Sequence, residues 1–246
     1  MAPVTQAADA DAFVDALVGE LTQHPVNSNR FFQTFLSERL DKNQLQEWLG
    51  QYHYFCKQFV KVLEGLLSRT PVDELEMRVQ LVKTLYSELG SGRSEQAHIR
   101  LLERFAVAAG LDETDLERIS PLPEVAEYLA VLYRLFIEAD YLSALGAELA
   151  VEITAAAEFR YFYPGLLRYN QFSSDDLVFF ALHLEAEDDH GLWLADAVRK
   201  TAKSSGDLKR VATGARTTVE AWQSFWEGVY RGIFSEHNPI AIPWNN

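Results

Sequence analysis

The sequence predicts an all-α protein that folds as one domain of about seven to nine helices. Apolar residues recur with a helical period of about 3.6 residues, and no segment shows the sustained two-residue alternation of a half-buried strand. The eight prolines are mostly far apart, which leaves room for helices of several turns. Because no Gly/Ser-rich linker divides the chain, we expect a single helical domain over residues 9–235, between a flexible segment at 1–8 and an extended tail at 236–246.

The periodic segments predict nine helices. They are placed at 9–23, 28–39, 42–69, 73–89, 95–109, 123–137, 139–168, 174–203 and 206–233. Asp41 is a candidate N-cap for the third helix, and Ser173 or Ser174 for the eighth, because short polar side chains accept hydrogen bonds from first-turn amides. Gly90 and Gly92 are expected to end the fourth helix in a short turn.

Composition places the chain among globular proteins and argues against two classes of partner. Apolar residues make up 48% and charged residues 24%, while 36 acidic residues against 22 Lys and Arg give a net charge of −14. A negative surface of this size repels phosphate and anionic lipid, so we expect neither a nucleic acid nor a membrane as partner. The chain shows no secretory signal and no apolar run of about 20 residues, so a cytoplasmic location is expected.

Ionisable residues interrupt the apolar stripe of the eighth predicted helix. His183, Glu187 and His190 lie within roughly 60° of one another on a helix that turns about 100° per residue. Phe180 precedes them and Leu194 follows them on the same stripe. The three ionisable side chains are therefore predicted to face the core.

Further carboxylates face inward on two other predicted helices. Glu152 lies in the middle of the apolar stripe of the seventh helix, with Glu148 one turn earlier. Glu88 ends the apolar stripe of the fourth helix, and the glycine turn after it brings His98 to the start of the next helix. Any one of these residues is explained by a salt bridge or a cap. Together they need positive charge, because a buried carboxylate without a partner costs several kcal/mol.

A pair of divalent metal ions would supply this charge. Carboxylate and neutral imidazole are good ligands for iron, manganese or zinc, and three of each are too many for one ion with an open position. The single cysteine, Cys56, excludes a cysteine metal cluster, and no Gly-rich phosphate loop lies nearby. We therefore predict an oxygen-activating dinuclear iron centre.

A ferritin-like ligand set is an alternative. It needs two Glu-x-x-His motifs and a glutamate from each of two further helices. The chain can supply all of these residues: Glu95, His98, Glu187, His190, Glu64 and Glu152. This set leaves Glu88 and His183 without a role, although both are predicted to face inward.

Three segments carry a resemblance to a known family. SELGSGRSEQAH, at 87–98, resembles the Glu-Leu-Gly-x-Gly…His segment of the haem-oxygenase-like di-iron oxidases and oxygenases. Glu152 and HLEAEDDH, at 183–190, are similar to the later ligands of that family in order and approximate spacing. Residues 24–69 resemble the amino-terminal helices shared with PQQ-synthesis-oxidase-like and thiaminase-like (TenA-like) relatives. The resemblance covers roughly 24–203.

The resemblance implies a haem-oxygenase-like helical bundle with six metal ligands. On this sequence they are Glu88, His98, Glu152, His183, Glu187 and His190. It also implies two Fe(II) ions, the second of them labile and with manganese as a substitute, O₂ as co-substrate, an external reductant and a homodimer. The family usually has Asp as the fifth ligand, where this chain has Glu187, so Asp188 is an alternative ligand at that place.

The reactions of the family set the range of expected functions. Its members oxygenate nitrogen, cleave carbon–carbon bonds of amino acids, decarboxylate fatty acids to terminal alkenes, or make 4-aminobenzoate at the expense of their own side chains. We therefore expect a small organic substrate, such as an amino acid, a fatty acid or a biosynthetic intermediate, packed against Phe159, Tyr163 and Phe180. The 4-aminobenzoate synthases use a site tyrosine and a lysine shortly after the third ligand, and no lysine occurs between residues 84 and 199 here.

Other functions stay open at this point. One is a 4-aminobenzoate-synthase-like enzyme. Another is a metal-independent oxidase or a thiaminase-like hydrolase of the same fold, for which Cys56 is the single available thiol nucleophile. A third is a helical interaction protein without catalysis, in which the inward Glu and His residues satisfy one another.

Overall fold

The computed structural model describes residues 3–234, with side chains placed for 10–184 and 193–234. This range contains ten α-helices and one π-helical segment, together with two short 3₁₀ turns, and it contains no strand. The helices are α1 (Pro3–Thr22), α2 (Arg30–Ser37), α3 (Lys42–Arg69), α4 (Leu75–Glu88), α5 (His98–Ala108), α6 (Glu113–Glu117), α7 (Pro123–Tyr133), α8 (Tyr141–Leu166), α9 (Val178–Thr201) and α10 (Ser205–Phe234). The all-α class is confirmed, and the expected count of seven to nine helices is too low. None of these helices has the length and apolar composition needed to cross a bilayer.

The count differs for two local reasons. Helix α6 has five residues, too few to show a period in the sequence. It forms because Asp112 and Asp115 make a reciprocal capping box, in which each side chain accepts a hydrogen bond from the other residue's amide at 2.8 and 3.0 Å. The helix predicted over 123–137 is α7 followed directly by the π-helical segment Arg134–Glu138.

The two predicted helix starts have different outcomes. Asp41 is the N-cap of α3, where it forms a capping box with Gln44, so that prediction is confirmed. The prediction for α9 is wrong, because α9 begins at Val178 and no side chain caps it. Ser173 instead pairs with Asp176 in the turn before the helix. The Ser173 hydroxyl donates a hydrogen bond to the Asp176 carboxylate, and each of the two side chains accepts a hydrogen bond from the other residue's backbone amide.

Helix α8 is the central helix of the bundle. It packs against α2, α9 and α10 and buries residues on every side. Gly146 on α8 and Gly214 on α10 allow the two backbones to touch, because a Cβ on either would lie 1.9 Å from a carbonyl oxygen of the facing helix, that of Val211 or Ser143 respectively. Its glutamates are buried with the rest of the helix: Glu148, Glu152 and Glu158.

Candidate metal centre

A glycine turn brings the end of α4 to the start of α5. Gly90 and Gly92 have φ values of +84° and +86°, a left-handed conformation that glycine adopts at little cost. A Cβ on Gly90 would lie 2.2 Å from the carbonyl oxygen of Arg93, so no other residue fits this position without moving the backbone. The turn that the sequence predicted is confirmed, and it places His98 beside Glu88.

Glu88, His98 and His183 form a three-residue cluster at the junction of α4, α5 and α9. Each offers one ligand atom, and these atoms lie within 4.8 Å of one another. Nδ1 of His98 is 2.9 Å from Oε1 of Glu88, and Nε2 of His183 is 3.8 Å from the same oxygen. The side chains are mostly buried, with exposed fractions of 18%, 14% and 12% for Glu88, His98 and His183. Carboxylate and imidazole atoms at this spacing can share a divalent cation.

His183 is held in one orientation. Its Nδ1 lies 2.7 Å from the carbonyl oxygen of Phe179, which can only accept, so Nδ1 donates and Nε2 carries the free lone pair. The ring is stacked on Phe159 at 4.4 Å and contacts Phe179 at 4.3 Å between ring centroids. A backbone carbonyl on the far nitrogen is the usual way to orient a metal-binding histidine.

Glu88 is ionised in this environment. Burial opposes its charge, but the neighbouring imidazoles of His183 and His98 outweigh burial and lower the pKa of Glu88 to about 2. The cluster therefore contains a carboxylate that stays anionic at neutral pH, as a metal ligand must.

Helix α8 contributes two further buried carboxyl groups near the cluster. Glu152 is 5% exposed and lines the same cavity as the cluster. Glu148 is fully buried, and its carboxyl group interacts with that of Glu152. Burial, and after it the neighbouring acids Glu152 and Glu88, raise the pKa of Glu148 well above its usual range. Buried carboxyl groups this close together fit a site that receives cations.

The cluster opens onto a cavity of about 90 Å³. Glu88, His98, Glu152 and His183 line one part of it, and Phe159 lines it as well. The other two predicted wall residues, Tyr163 and Phe180, do not line it.

The rotation of α8 and α9 about their own axes explains why Tyr163 and Phe180 do not line the cavity. Phe180 packs into the core against Trp48 and Phe105, and Phe179 lies beside the ring of His183 instead. Phe179 is four positions before His183, and Phe180 is three positions before it. Both phenylalanines therefore lie near the face of α9 that carries His183, and packing decides which of them contacts the imidazole. Tyr163 is half-buried one turn beyond Phe159 on α8.

The remaining predicted ligands have separate outcomes. The side chains of Glu187, Asp188 and His190 lie outside the described residues, so their roles stay predictions. Glu64 and Glu95, which the ferritin-like set requires, are both exposed and do not line the cavity. The described residues thus bring together members of the six-ligand set but not the two glutamates specific to the ferritin-like set.

The sequence analysis missed several polar residues that line the cavity, among them Glu158, Tyr52 and Tyr128. Glu158 is 2% exposed and its Oε1 accepts a 2.5 Å hydrogen bond from the hydroxyl of Tyr52. Burial raises the pKa of Glu158 to about 8, although the Tyr52 hydrogen bond opposes the shift. Tyr128 lines the cavity as well. The sequence did contain a signal for Glu158. A helix that is apolar on every side lies in the centre of a protein, so the glutamates that it carries are buried.

Solved structures share this fold. A CADD-like protein of unknown function from Nostoc punctiforme PCC 73102 superposes with a TM-score of 0.78 at 20% identity, covering 93% of this chain and 100% of that chain. A domain of unknown function with a heme oxygenase-like fold from Shewanella denitrificans OS217 superposes with a TM-score of 0.68 at 13% identity, covering 89% of each chain. The protein therefore has a haem-oxygenase-like fold, as the resemblance implied.

The sequence comparison defines the family. Residues 46–223 match the model of the iron-containing redox enzymes, and this chain belongs to that family. The 4-aminobenzoate synthase of Chlamydia muridarum (strain MoPn / Nigg) is 28% identical over 215 residues, which are 87% of this chain and 88% of that protein. Family and relative together support an oxidoreductase-type enzyme.

Proposed function

We propose that the protein is an O₂-dependent di-iron oxidase or oxygenase that acts on a small organic substrate. The observation that carries the proposal is the cluster of Glu88, His98 and His183, with the buried Glu152 on the same cavity wall. Membership of the iron-containing redox enzymes supports iron as the metal. The cavity beside the cluster supports a small substrate.

The residues of the chain have defined tasks in this proposal. Glu88, His98, Glu152, His183, Glu187 and His190 would hold the two iron ions between them, and Glu88, His98 and His183 lie close enough to share one of these ions. Bound ferrous iron supplies the electrons and open positions that O₂ chemistry requires.

The surroundings of the cluster prepare it for this chemistry. The Phe179 carbonyl accepts a hydrogen bond from Nδ1 of His183, which leaves the lone pair of Nε2 free to bind a metal. The rings of Phe159 and Phe179 hold that imidazole in place. The apolar walls of the cavity keep water away from substrate and metal.

Iron content and O₂ consumption test the proposal. Metal-free protein titrated anaerobically with Fe(II) is expected to bind about two ions per chain, since six carboxylate and imidazole ligands suit a dinuclear site. The iron-loaded protein should then consume O₂ faster than the same concentration of free Fe(II). Elemental analysis and an oxygen electrode provide the two measurements. Protein that retains no iron after desalting, or that does not accelerate O₂ consumption, would contradict the proposal.

Synthesis of 4-aminobenzoate is a second candidate function. It is favoured by the Chlamydia muridarum relative and by the two tyrosines, Tyr52 and Tyr128, that line the cavity. It is disfavoured by the absence of any lysine between residues 84 and 199, where the resemblance expects one shortly after the third ligand. We therefore rank an external substrate first.

Cys56 decides the thiaminase-like alternative. Its thiol lines the cavity, but burial, and after it the charges of Glu158 and Glu88, raise the thiol pKa well above its usual range. A protonated thiol is a poor nucleophile. We expect Cys56→Ala to keep the iron content and the rate of O₂ consumption within about twofold of wild type, as for a side chain that only fills space. A folded Cys56→Ala protein that has lost its activity, with Cys56→Ser inactive as well, would favour cysteine chemistry instead.

A further inference from the structure

The cavity contains a buried acid that belongs to neither ligand set. Glu158 lines the cavity and is 2% exposed. Its Oε1 accepts the hydrogen bond from Tyr52, whereas its Oε2 is buried and has no hydrogen-bond partner among the described residues. When Glu158 is ionised, Oε2 is an unsatisfied buried acceptor, which costs about 1–3 kcal/mol. A cationic ligand that donates a hydrogen to Oε2 would remove this cost and favour the ionised form of Glu158.

The charges around the cavity favour one kind of donor. Of the described residues that line it, three are glutamates and none is lysine or arginine. In the metal-free cavity a ligand carboxylate or phosphate would meet like charge, with no lysine or arginine among the described lining residues to offset it. A protonated amine would meet opposite charge, and charge-assisted hydrogen bonds to a carboxylate are the stronger kind.

Aromatic rings line the same cavity as the acid. Phe55, Tyr128 and Trp222 line the cavity and pack against one another, with ring centroids 5.5 Å apart for Phe55 and Tyr128 and 4.7 Å apart for Tyr128 and Trp222. Burial, and after it the charge of Glu158, raise the pKa of Tyr128 well above its usual range, which places this phenol in the field of the acid and keeps it neutral. Aromatic faces bind ammonium groups and apolar bodies alike.

We propose that Glu158, held in place by Tyr52, binds the ammonium group of the substrate, and that the substrate class is a small aryl- or alkylamine. The oxidation of that amine rests on the proposed function. The binding step does not, because it needs no metal. Glu158 is thus a specificity-determining residue, and Tyr52 is a positioning residue that acts through it.

Three phenyl compounds of similar shape test the proposal. Calorimetric titration of the full chain, both metal-free and anaerobically loaded with Fe(II), compares 2-phenylethylamine, 2-phenylethanol and 3-phenylpropanoate. At about pH 8.5 much of Glu158 is ionised and the amine is still protonated. We expect the amine to bind at least about tenfold more tightly than the alcohol in both forms, and the carboxylate to bind most weakly in the metal-free form.

Variants assign the preference to one side chain. In Glu158→Gln the amine and the alcohol should bind within about twofold of each other, since the shape is kept and the charge is gone. Glu127→Gln removes an exposed acid on α7 outside the cavity and should keep the full preference for the amine. Tyr52→Phe retains the carboxylate and should keep a preference for the amine, reduced in size.

The outcomes are separable. If wild-type protein binds the amine no better than the alcohol, or does not bind the amine at millimolar concentration, the inference is overturned without recourse to any variant. If folded Glu158→Gln still prefers the amine, the inference is also overturned, because the opposite charge must then come from the cluster. Iron uptake without a preference for the amine would contradict this inference alone. A preference for the amine without iron uptake would contradict the proposed function alone.

Discussion

Replacing His183 with alanine is expected to abolish one of the two iron sites and to lower the rate of O₂ consumption by about 100-fold or more. Loss of even an outer partner of a metal ligand weakens metal binding by about 10–100-fold, and His183 presents its free Nε2 directly to the cluster. The variant should retain about one Fe(II) per chain or less, because the ligand set of one ion is then incomplete. Elemental analysis of the desalted protein and an oxygen electrode measure the two effects.

His24→Ala is the matched control for this experiment. The His24 imidazole accepts a hydrogen bond from the amide of Val26 at the start of a 3₁₀ turn and takes no part in the cluster. This variant should retain the iron content and O₂ consumption of wild type. A His183→Ala protein with full iron content and full activity would exclude His183 as a ligand and with it the six-ligand set.

Gly146→Ala is expected to lower the free energy of unfolding by about 3 kcal/mol or more, at the upper end of overpacking effects. The added Cβ would lie 1.9 Å from the carbonyl oxygen of Val211, and a backbone atom cannot move aside by changing a rotamer. Helices α8 and α10 would have to separate, which also disturbs the helix that carries Glu148, Glu152 and Glu158. Gly214→Ala meets the carbonyl oxygen of Ser143 in the same way and should have a similar effect. Urea unfolding followed by circular dichroism measures both.

Gly19→Ala separates this contact from the general effect of replacing a helical glycine. A Cβ on Gly19, inside α1, would have no heavy atom within 4 Å. Alanine is a better helix former than glycine by about 1 kcal/mol, so this variant should be as stable as wild type or more stable. If Gly146→Ala unfolds at the same urea concentration as wild type, α8 and α10 do not approach as closely as the structure describes.

Local signals predicted most of the helices. The bounds of α3 are the predicted ones, 42–69, because its start has a capping box within four residues and its apolar period continues for seven turns. The turn at Gly90 was readable for the same reason, since a left-handed backbone conformation is a property of the residue itself. Helix α6 was missed because five residues contain too little of a period.

Part of the candidate site was also readable. An acid or imidazole on an apolar stripe marks an inward position on any helix, and Glu88, His98 and His183 do meet. Periodicity resolves a helix face but not its rotation to within one residue, so it selected Phe180 where the structure places Phe179 beside the cluster. The roles of Glu187 and His190, the homodimer and the cytoplasmic location stay predictions.

The sequence by itself determined the helical class and the inward-facing ionisable residues, because both depend on spacing along a single helix. Only the tertiary structure decided that Tyr52 of α3 meets Glu158 of α8 and that three aromatic rings line the same cavity as that acid. Such meetings depend on which helices are neighbours and how each is rotated. That choice is made by packing the whole core at once, and no local pattern in the chain encodes it.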